Sequence, residues 1–211
     1  MSRTSVFLDA SNLRTVGQIN DGKTCHTFAW ETRQDLAASL STVLDEMLTR
    51  AGMQFSDLDV LGVCVGPGSL TGLRMAVAFY RTLAKFGEKP LVSISLFDWA
   101  ARTLQRQGFR GNAILAVSGP LKGQFVFDAV LPLEEPVKQS QIRFEAHLMD
   151  FPRTYAIRQE LPGFPRLEPD PESLQEIMAT AEVAADLLQV TPYYVIPSQA
   201  ELNWEKRNPQ C

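Results

Sequence analysis

The sequence predicts an α/β protein in which helices cover a mixed β-sheet. Three observations support this: short alternating stretches near the start, a continuously apolar run at 60–65, and helical periodicity on either side of that run. The chain has 211 residues, of which 45% are hydrophobic, so it is long enough for one large domain or two small lobes with a packed core.

Three strands are predicted first, at 5–11, 13–19 and 23–31. An Asn-Asp-Gly sequence at 20–22 separates the second from the third, and these residues tolerate the positive φ that a hairpin turn requires. The three stretches therefore predict a meander of adjacent strands.

Residues 34–51 carry leucine at every fourth position, a period that predicts an amphipathic helix ending near Gly52. A short apolar strand is predicted at 56–65, of the kind that is buried on both faces of a parallel sheet. A glycine-rich turn then leads into a second predicted helix at about 69–86.

The alternation continues with a strand at 90–95 and a third helix, which begins with the capping pattern of Ser95 and Asp98 and ends near Gly108. Residues 5–108 thus follow the order β-β-β-α-β-α-β-α. That is the element order of the ribonuclease-H-like architecture.

The second half of the chain differs in composition, since nine of the thirteen prolines lie at 132–197. Asp170 followed by Pro171 is a favourable helix start, and apolar spacing predicts that this helix runs to about 189. Extended segments are predicted at 112–119, 123–131 and 191–198.

Composition argues against several classes of protein. A net charge of −4 disfavours a strongly basic nucleic-acid reader. The three cysteines are odd in number and widely spaced, which disfavours a disulfide framework or a zinc site. The apolar stretch at 6–8 is too short for a signal sequence, and no run has the length of a membrane span. We expect a cytoplasmic protein without membrane contact.

The glycine turn has Gly66, Gly68 and Gly72 in positions that match neither a P-loop nor a dinucleotide fingerprint. It nevertheless opens a helix, and helix N-termini attract anions. A tight strand-to-helix connection with close packing is the structural alternative. The candidate nucleotide or anion loop comprises Asp9, Ser11, Gly66, Gly68, Ser69, Thr71, Gly72 and Arg74.

Catalytic groups are hard to find. The two histidines are isolated, so we predict no metal site. Asp9 ends the first strand, where a phosphotransferase would hold a metal, but that role needs a second acid at a facing strand end. The facing strand offers Ser-Gly-Pro at 118–120 instead. We therefore predict no catalytic residue and no enzymatic activity of the chain alone.

The second helix is apolar on two sides, with Leu73 and Tyr80 on one and Met75 and Phe79 on the other. Because the sheet can cover only one side, the other is covered by the first helix or by another subunit. We favour the second explanation.

The segment GPGSLTGLRMAVAFYRTLA at 66–84 resembles the G-P-G-S-F-T-G-x-R segment of the bacterial TsaB family of tRNA threonylcarbamoyladenosine biosynthesis proteins. VFLDAS and PLVSISLFDWAA resemble the opening strand of that family and the strand and helix after its motif. The resemblance is good over 5–108 and weak thereafter.

The resemblance implies the actin-like, sugar-kinase fold, with two ribonuclease-H-like lobes of which the second is reduced. It implies a non-catalytic paralogue of TsaD that pairs with TsaD through its first two helices and forms a homodimer on its own. The partner interface would comprise Leu36, Leu40, Leu44, Met75, Phe79, Tyr80 and Leu83.

The resemblance also implies a scaffold or activator function. With TsaD and the ATPase TsaE, the complex transfers a threonylcarbamoyl group to adenosine 37 of tRNA, which this chain reaches only through the complex. No cofactor is expected to bind tightly, although ATP or ADP fits the interface of the complex. The alternative is an ATP-dependent phosphotransferase of the actin-like superfamily that uses Asp9, Ser11 and the loop at 66–74. A peptidase is disfavoured, since no nucleophile–base spacing is present.

We predict three parts in the chain: a ribonuclease-H-like lobe with the partner-binding helices at 1–108, a smaller diverged lobe at 109–197, and a polar tail at 198–211.

Overall fold

The computed structural model describes residues 3–12, 14–31, 36–118, 124–130, 140–144, 153–158 and 163–193. Within these residues lie two five-stranded mixed sheets. Each has a central strand with two antiparallel strands on one side and two parallel strands on the other. The two sheets therefore share one topology.

The first sheet has the order β3-β2-β1-β4-β5. Its strands are β1 Ser5–Asp9, β2 Arg14–Asn20, β3 Cys25–Glu31, β4 Val60–Gly66 and β5 Leu91–Ser95. The predicted meander and the two buried parallel strands are confirmed. The segment predicted as the beginning of the fourth strand is instead a 3₁₀ turn at Phe55–Asp57.

The second sheet has the order β10-β9-β6-β7-β8. Its strands are β6 Ala113–Ser118, β7 Gln124–Val130, β8 Ser140–Phe144, β9 Thr154–Ile157 and β10 Arg166–Leu167. The strands predicted at 112–119 and 123–131 are confirmed as β6 and β7.

Four helices accompany the sheets in the described part of the chain: α1 Leu36–Ala51, α2 Leu70–Phe86, α3 Leu96–Arg106 and α4 Pro171–Thr180. The predicted caps at Ser95 and Asp170 are confirmed, because Ser95 accepts a hydrogen bond from the N–H of Phe97 and Asp170 accepts one from the N–H of Ser173. At the start of α2, Ser69 accepts a hydrogen bond from the N–H of Gly72. The capping residues thus mark the starts of α3 and α4 as predicted.

Helices cover both faces of the first sheet. Val6 and Leu8 of β1 pack in one cluster with α1 and α2. Phe7, which points to the opposite face, packs in a second cluster with α3, α4 and residues of the second sheet such as Leu115 and Ile157. The second cluster is therefore a core shared by the two sheets.

The last helix is shorter than predicted, and the extension to 189 was wrong. α4 ends at Thr180, and Ala181 already has an extended backbone. The N–H of Ala184 donates to the carbonyl oxygen of Leu91 at the start of β5. Contact with the edge of the sheet replaces the helical hydrogen bond, although the apolar spacing of 181–188 also fits a helix. A 3₁₀ turn at Leu187–Gln189 follows.

Some predictions concern residues that the structure describes only in part or not at all. The extended piece at 191–198 is described only to Tyr193, where no strand is formed. Gly119, Pro120 and the predicted tail at 198–211 lie outside the described residues. The division at 108 and 197 stays a prediction.

Candidate functional site

Two loops meet at the carboxyl end of the first sheet. β1 and β4 are parallel, so the turn after Asp9 and the turn after Gly66 leave the same edge. The N–H of Ser69 donates to the carbonyl oxygen of Ser11 over 2.6 Å, which joins the two loops directly. The sequence-predicted loop residues are therefore gathered in one place.

Two glycines make this close approach feasible. A Cβ on Gly72 would lie 2.1 Å from the carbonyl oxygen of Ala10, and one on Gly68 would lie 2.2 Å from that of Ser11. Gly66 has a φ of +104°, which favours glycine. Close packing of α2 against the first loop, which is the structural alternative for the glycine turn, is thus a feature of the molecule.

Asp9 is fully buried at the end of β1. One of its carboxylate oxygens, Oδ1, accepts a hydrogen bond from the N–H of Ser11 at 2.8 Å. The other oxygen, Oδ2, forms an ion pair with the guanidinium of Arg158, which follows β9 of the second sheet. Both oxygens therefore have partners within the chain.

Arg158 is held tightly from the second sheet. Its side chain is 7% exposed, and its guanidinium carbon lies 4.8 Å from the ring centroid of Trp99. Its backbone adopts a φ of +58°, which is uncommon for a residue with a side chain. No sequence pattern pointed to this residue, because 149 positions separate it from Asp9.

The ion pair controls the ionisation of Asp9. Burial is the largest single effect and would raise the pKa of this carboxyl, but the positive charge of Arg158 and the hydrogen bonds from Ser11 and Arg158 together hold the pKa of Asp9 below its ordinary value of 3.8. Asp9 is thus a carboxylate whose charge is compensated internally. Among the described residues, no group of three or more histidine, cysteine or acidic side chains is placed to hold a metal ion.

A cleft of about 200 Å³ opens beside the ion pair. It lies between the two sheets and is lined by Ser11, Asn12, Pro67, Gly68, Ser69, Leu96, Val117, Ile157 and Arg158. Of the other predicted loop residues, Gly66 and Gly72 are buried, and Thr71 and Arg74 are exposed on α2. The structure therefore places three predicted residues, Ser11, Gly68 and Ser69, on the cleft wall with Arg158.

The predicted partner interface needs correction at three positions. Leu40, Leu44 and Tyr80 are 2%, 7% and 1% exposed, because they fill the core between the first sheet and the α1–α2 layer. They are not available to a partner in the folded chain.

The other predicted interface residues lie nearer the surface. Met75, Phe79 and Leu83 are half-buried at the edge of the same cluster. Leu36 belongs to α1, and its side chain lies outside the described part. Phe86, at the end of α2, is 84% exposed.

The chain itself covers part of α2. Ala184 and Leu187 pack against the α1–α2 cluster, and Val190 is buried in it. The second apolar side of α2 is thus shared between α1, the 184–190 segment and solvent. The expectation that another subunit covers this whole side was too broad.

Comparison with known proteins relates the chain to two kinds of protein. Residues 31–127 match the family model described as "TsaD: tRNA N6-adenosine threonylcarbamoyltransferase". The chain is 28% identical over 108 residues to the tRNA threonylcarbamoyladenosine biosynthesis protein TsaB of Escherichia coli (strain K12), which covers 51% of this chain and 46% of that protein. The predicted resemblance to TsaB is confirmed.

The chain is also similar in sequence to TsaD transferases. The tRNA N6-adenosine threonylcarbamoyltransferase of Methylobacterium nodulans is 33% identical over 84 residues, which cover 36% of this chain and 24% of that protein. The chain thus matches less than half the length of these curated relatives.

A solved structure confirms the fold class. YeaZ from Pseudomonas aeruginosa superposes with a TM-score of 0.70 at 18% identity, covering 92% of this chain and 100% of that chain. Together with the strand order of the two sheets, this shows the predicted actin-like, ribonuclease-H-like architecture. None of the helices in the described residues has the length and apolar character needed to cross a bilayer.

The close approach of α2 predicts the effect of Gly72→Ala. In an ordinary helix this change stabilises by about 1 kcal/mol. Here the new Cβ would clash with the carbonyl oxygen of Ala10. We therefore expect the free energy of unfolding, measured in urea, to fall by about 1–3 kcal/mol. Thr71→Ala, at the exposed neighbouring position, is the control and should change stability by less than about 0.5 kcal/mol. A stabilised Gly72→Ala variant would contradict the packing described.

The buried ion pair predicts that Asp9→Asn is strongly destabilising, by about 3–5 kcal/mol near neutral pH, because Arg158 is left buried without a counter-charge. The pKa of Asp9 is lowered by folding, so its stabilisation is complete well above pH 3.8 and is lost as the pH falls through the folded pKa. The difference in the free energy of unfolding between the wild-type protein and the variant, measured by urea titration, should therefore become smaller below pH 4.

Two further variants control this measurement. Asp45→Asn changes an exposed aspartate of α1 and should have little effect at any pH. Combining Asp9→Asn with Arg158→Gln should cost less than the sum of the single changes. Additive single effects would show that the two charges do not depend on each other.

Proposed function

We propose that this protein is a non-catalytic subunit of the machinery that makes N6-threonylcarbamoyladenosine in tRNA, where it pairs with TsaD and works with TsaE. The similarity to TsaB over 108 residues and the match of residues 31–127 to the TsaD family support this process. The observation that supports a non-catalytic role is the Asp9–Arg158 ion pair.

The ion pair bears on whether this chain could act as a phosphotransferase. A phosphotransferase on this sheet would use the carboxylate at the end of β1 to hold the metal of a metal–nucleotide complex. In this chain both oxygens of that carboxylate are engaged, one by the N–H of Ser11 and one by Arg158. The phosphotransferase alternative would need this pair to open, which leaves a buried charge without compensation.

The surface of α2 supports the pairing. α1 and α2 lie on the face of the first sheet away from the core that it shares with the second sheet. The end of α2 exposes Phe86, and Met75, Phe79 and Leu83 are half-buried beside it. Exposed aromatic side chains next to partly buried apolar ones are typical of protein–protein contact sites. The proposed interface is therefore these four residues.

The remaining parts of the proposal follow from this pairing. The isolated chain uses the same face to form a homodimer in the cytoplasm, and TsaD displaces the second copy. ATP or ADP binds only where the complex supplies further groups, and tRNA is reached only through TsaD.

Phe86→Glu tests the proposed interface. Since this side chain is 84% exposed, the change should leave the melting temperature unaltered. We expect it to weaken the complex with purified TsaD by about 30-fold or more, as for an aromatic side chain that contributes about 2 kcal/mol to binding. Light scattering coupled to size exclusion measures the complex, and analytical ultracentrifugation measures the homodimer.

Gln107→Glu is the matched control, since it adds a charge just after α3, on the opposite face of the sheet. It should leave both assemblies intact. Unchanged binding of TsaD by a folded Phe86→Glu variant would place the interface elsewhere. Failure of the wild-type chain to bind TsaD at all would contradict the proposed function itself.

A further inference from the structure

A groove of about 700 Å³ runs beside the second half of α2, between this helix and the 184–190 segment that packs against the α1–α2 cluster. Two large apolar side chains line it from opposite walls: Phe86 of α2, which is 84% exposed, and Leu188, which is 68% exposed. Exposed apolar side chains that line one groove are typical of a surface that another segment or molecule covers.

The helical wall of the groove is positively charged. Arg81 and Lys85 line it, and α2 contains no acidic residue. The two cations are four positions apart, so they lie on one face of the helix. In the described part of the chain neither of them has an ion pair. The groove therefore favours an occupant that combines two carboxylates at a similar spacing with an apolar side chain.

The chain's own sequence after Tyr193 supplies such a pattern. Residues 200–207 read AELNWEKR, in which Glu201 and Glu205 are four positions apart and Trp204 lies between them. At the helical period of 3.6 residues, the two carboxylates share one face and the indole adjoins it. The spacing of the two glutamates thus matches the spacing of the two cations on α2.

The position of Tyr193 puts this segment within reach of the groove. The N–H of Tyr193 donates to the carbonyl oxygen of Val65 over 2.7 Å, near the end of β4 from which the turn leads into α2. Arg81 lies about 16 Å along the axis from the first residue of α2, at 1.5 Å per residue. Residues 194–200 span up to about 23 Å when extended. The connection is therefore long enough without any change in the fold.

We propose that this groove is the docking site of the chain's own residues 200–207. Trp204 packs between Phe86 and Leu188, and the two glutamates pair with the two cations of α2. Docking covers the exposed aromatic end of α2 in the free chain. The inference does not rest on the proposed function, although a docked segment would have to leave before Phe86 could contact a partner protein.

The test is the fluorescence of Trp204 in the full chain. The chain has two other tryptophans, so subtracting the signal of a Trp204→Phe variant isolates the emission of Trp204. We expect a blue-shifted emission and a quenching constant with acrylamide several-fold lower than in the urea-unfolded chain, because a docked indole is shielded from water. Both values should be the same from low to high micromolar protein concentration, since the docking is within one molecule.

Reversing the charge of the helical wall should release the segment. In a variant that combines Arg81→Glu with Lys85→Glu, we expect the quenching constant of Trp204 to rise several-fold, towards its value in urea. Adding Glu201→Lys and Glu205→Lys to this variant should restore the shielding, an effect that a merely structural role of the two cations would not give. Arg14→Glu, a charge reversal at an exposed position of β2, is the control and should leave Trp204 shielded.

Four results would overturn the proposal. They are a Trp204 as accessible in the folded chain as in urea, shielding that survives charge reversal of the groove, a charge-swapped chain that does not regain shielding, and shielding that increases with protein concentration. The last result would show that a second copy supplies the segment. If the Arg81→Glu, Lys85→Glu variant does not fold, Leu188→Gln on the opposite wall replaces it, and unchanged shielding there also overturns the proposal.

Discussion

The buried ion pair between Asp9 and Arg158 is the contact on which the arrangement of the two sheets depends. Each charge is buried, and neither tolerates loss of the other. The pair joins the end of β1 to the end of β9, and Trp99 packs against both Arg158 and Phe7 beside it. A polar contact at the rim and a shared apolar core therefore hold the same two sheets together.

This constraint also determines what the glycine turn can do. A phosphotransferase on this sheet would need a free carboxylate at the end of β1 to hold a metal. Here the arginine occupies that carboxylate, and the glycines bring α2 within contact of the loop at Ala10 and Ser11. What remains is a small cleft between the two sheets and, on the far side of the first sheet, an α1–α2 layer with an exposed aromatic end.

The sequence was sufficient for features that depend on neighbouring residues. The caps at Ser95 and Asp170, the meander and the buried parallel strands each follow from local patterns. The sequence was insufficient for contacts between residues that lie far apart along the chain. Spacing showed that Tyr80 lies on an apolar stripe but not that the chain's own core covers it. The contact of Arg158 with Asp9 joins residues 149 positions apart, and no local pattern predicts it. The over-long last helix has the same origin, since the edge of β5 competes for its backbone.

The most direct test of the account is equilibrium dialysis of magnesium–ATP against the isolated chain, with the Asp9→Asn variant measured beside it. If Arg158 occupies the carboxylate, neither protein should retain nucleotide above the level of a protein without a nucleotide site, at millimolar concentrations. Saturable, magnesium-dependent binding that Asp9→Asn abolishes would show that the carboxylate is free for a metal, and it would contradict the account.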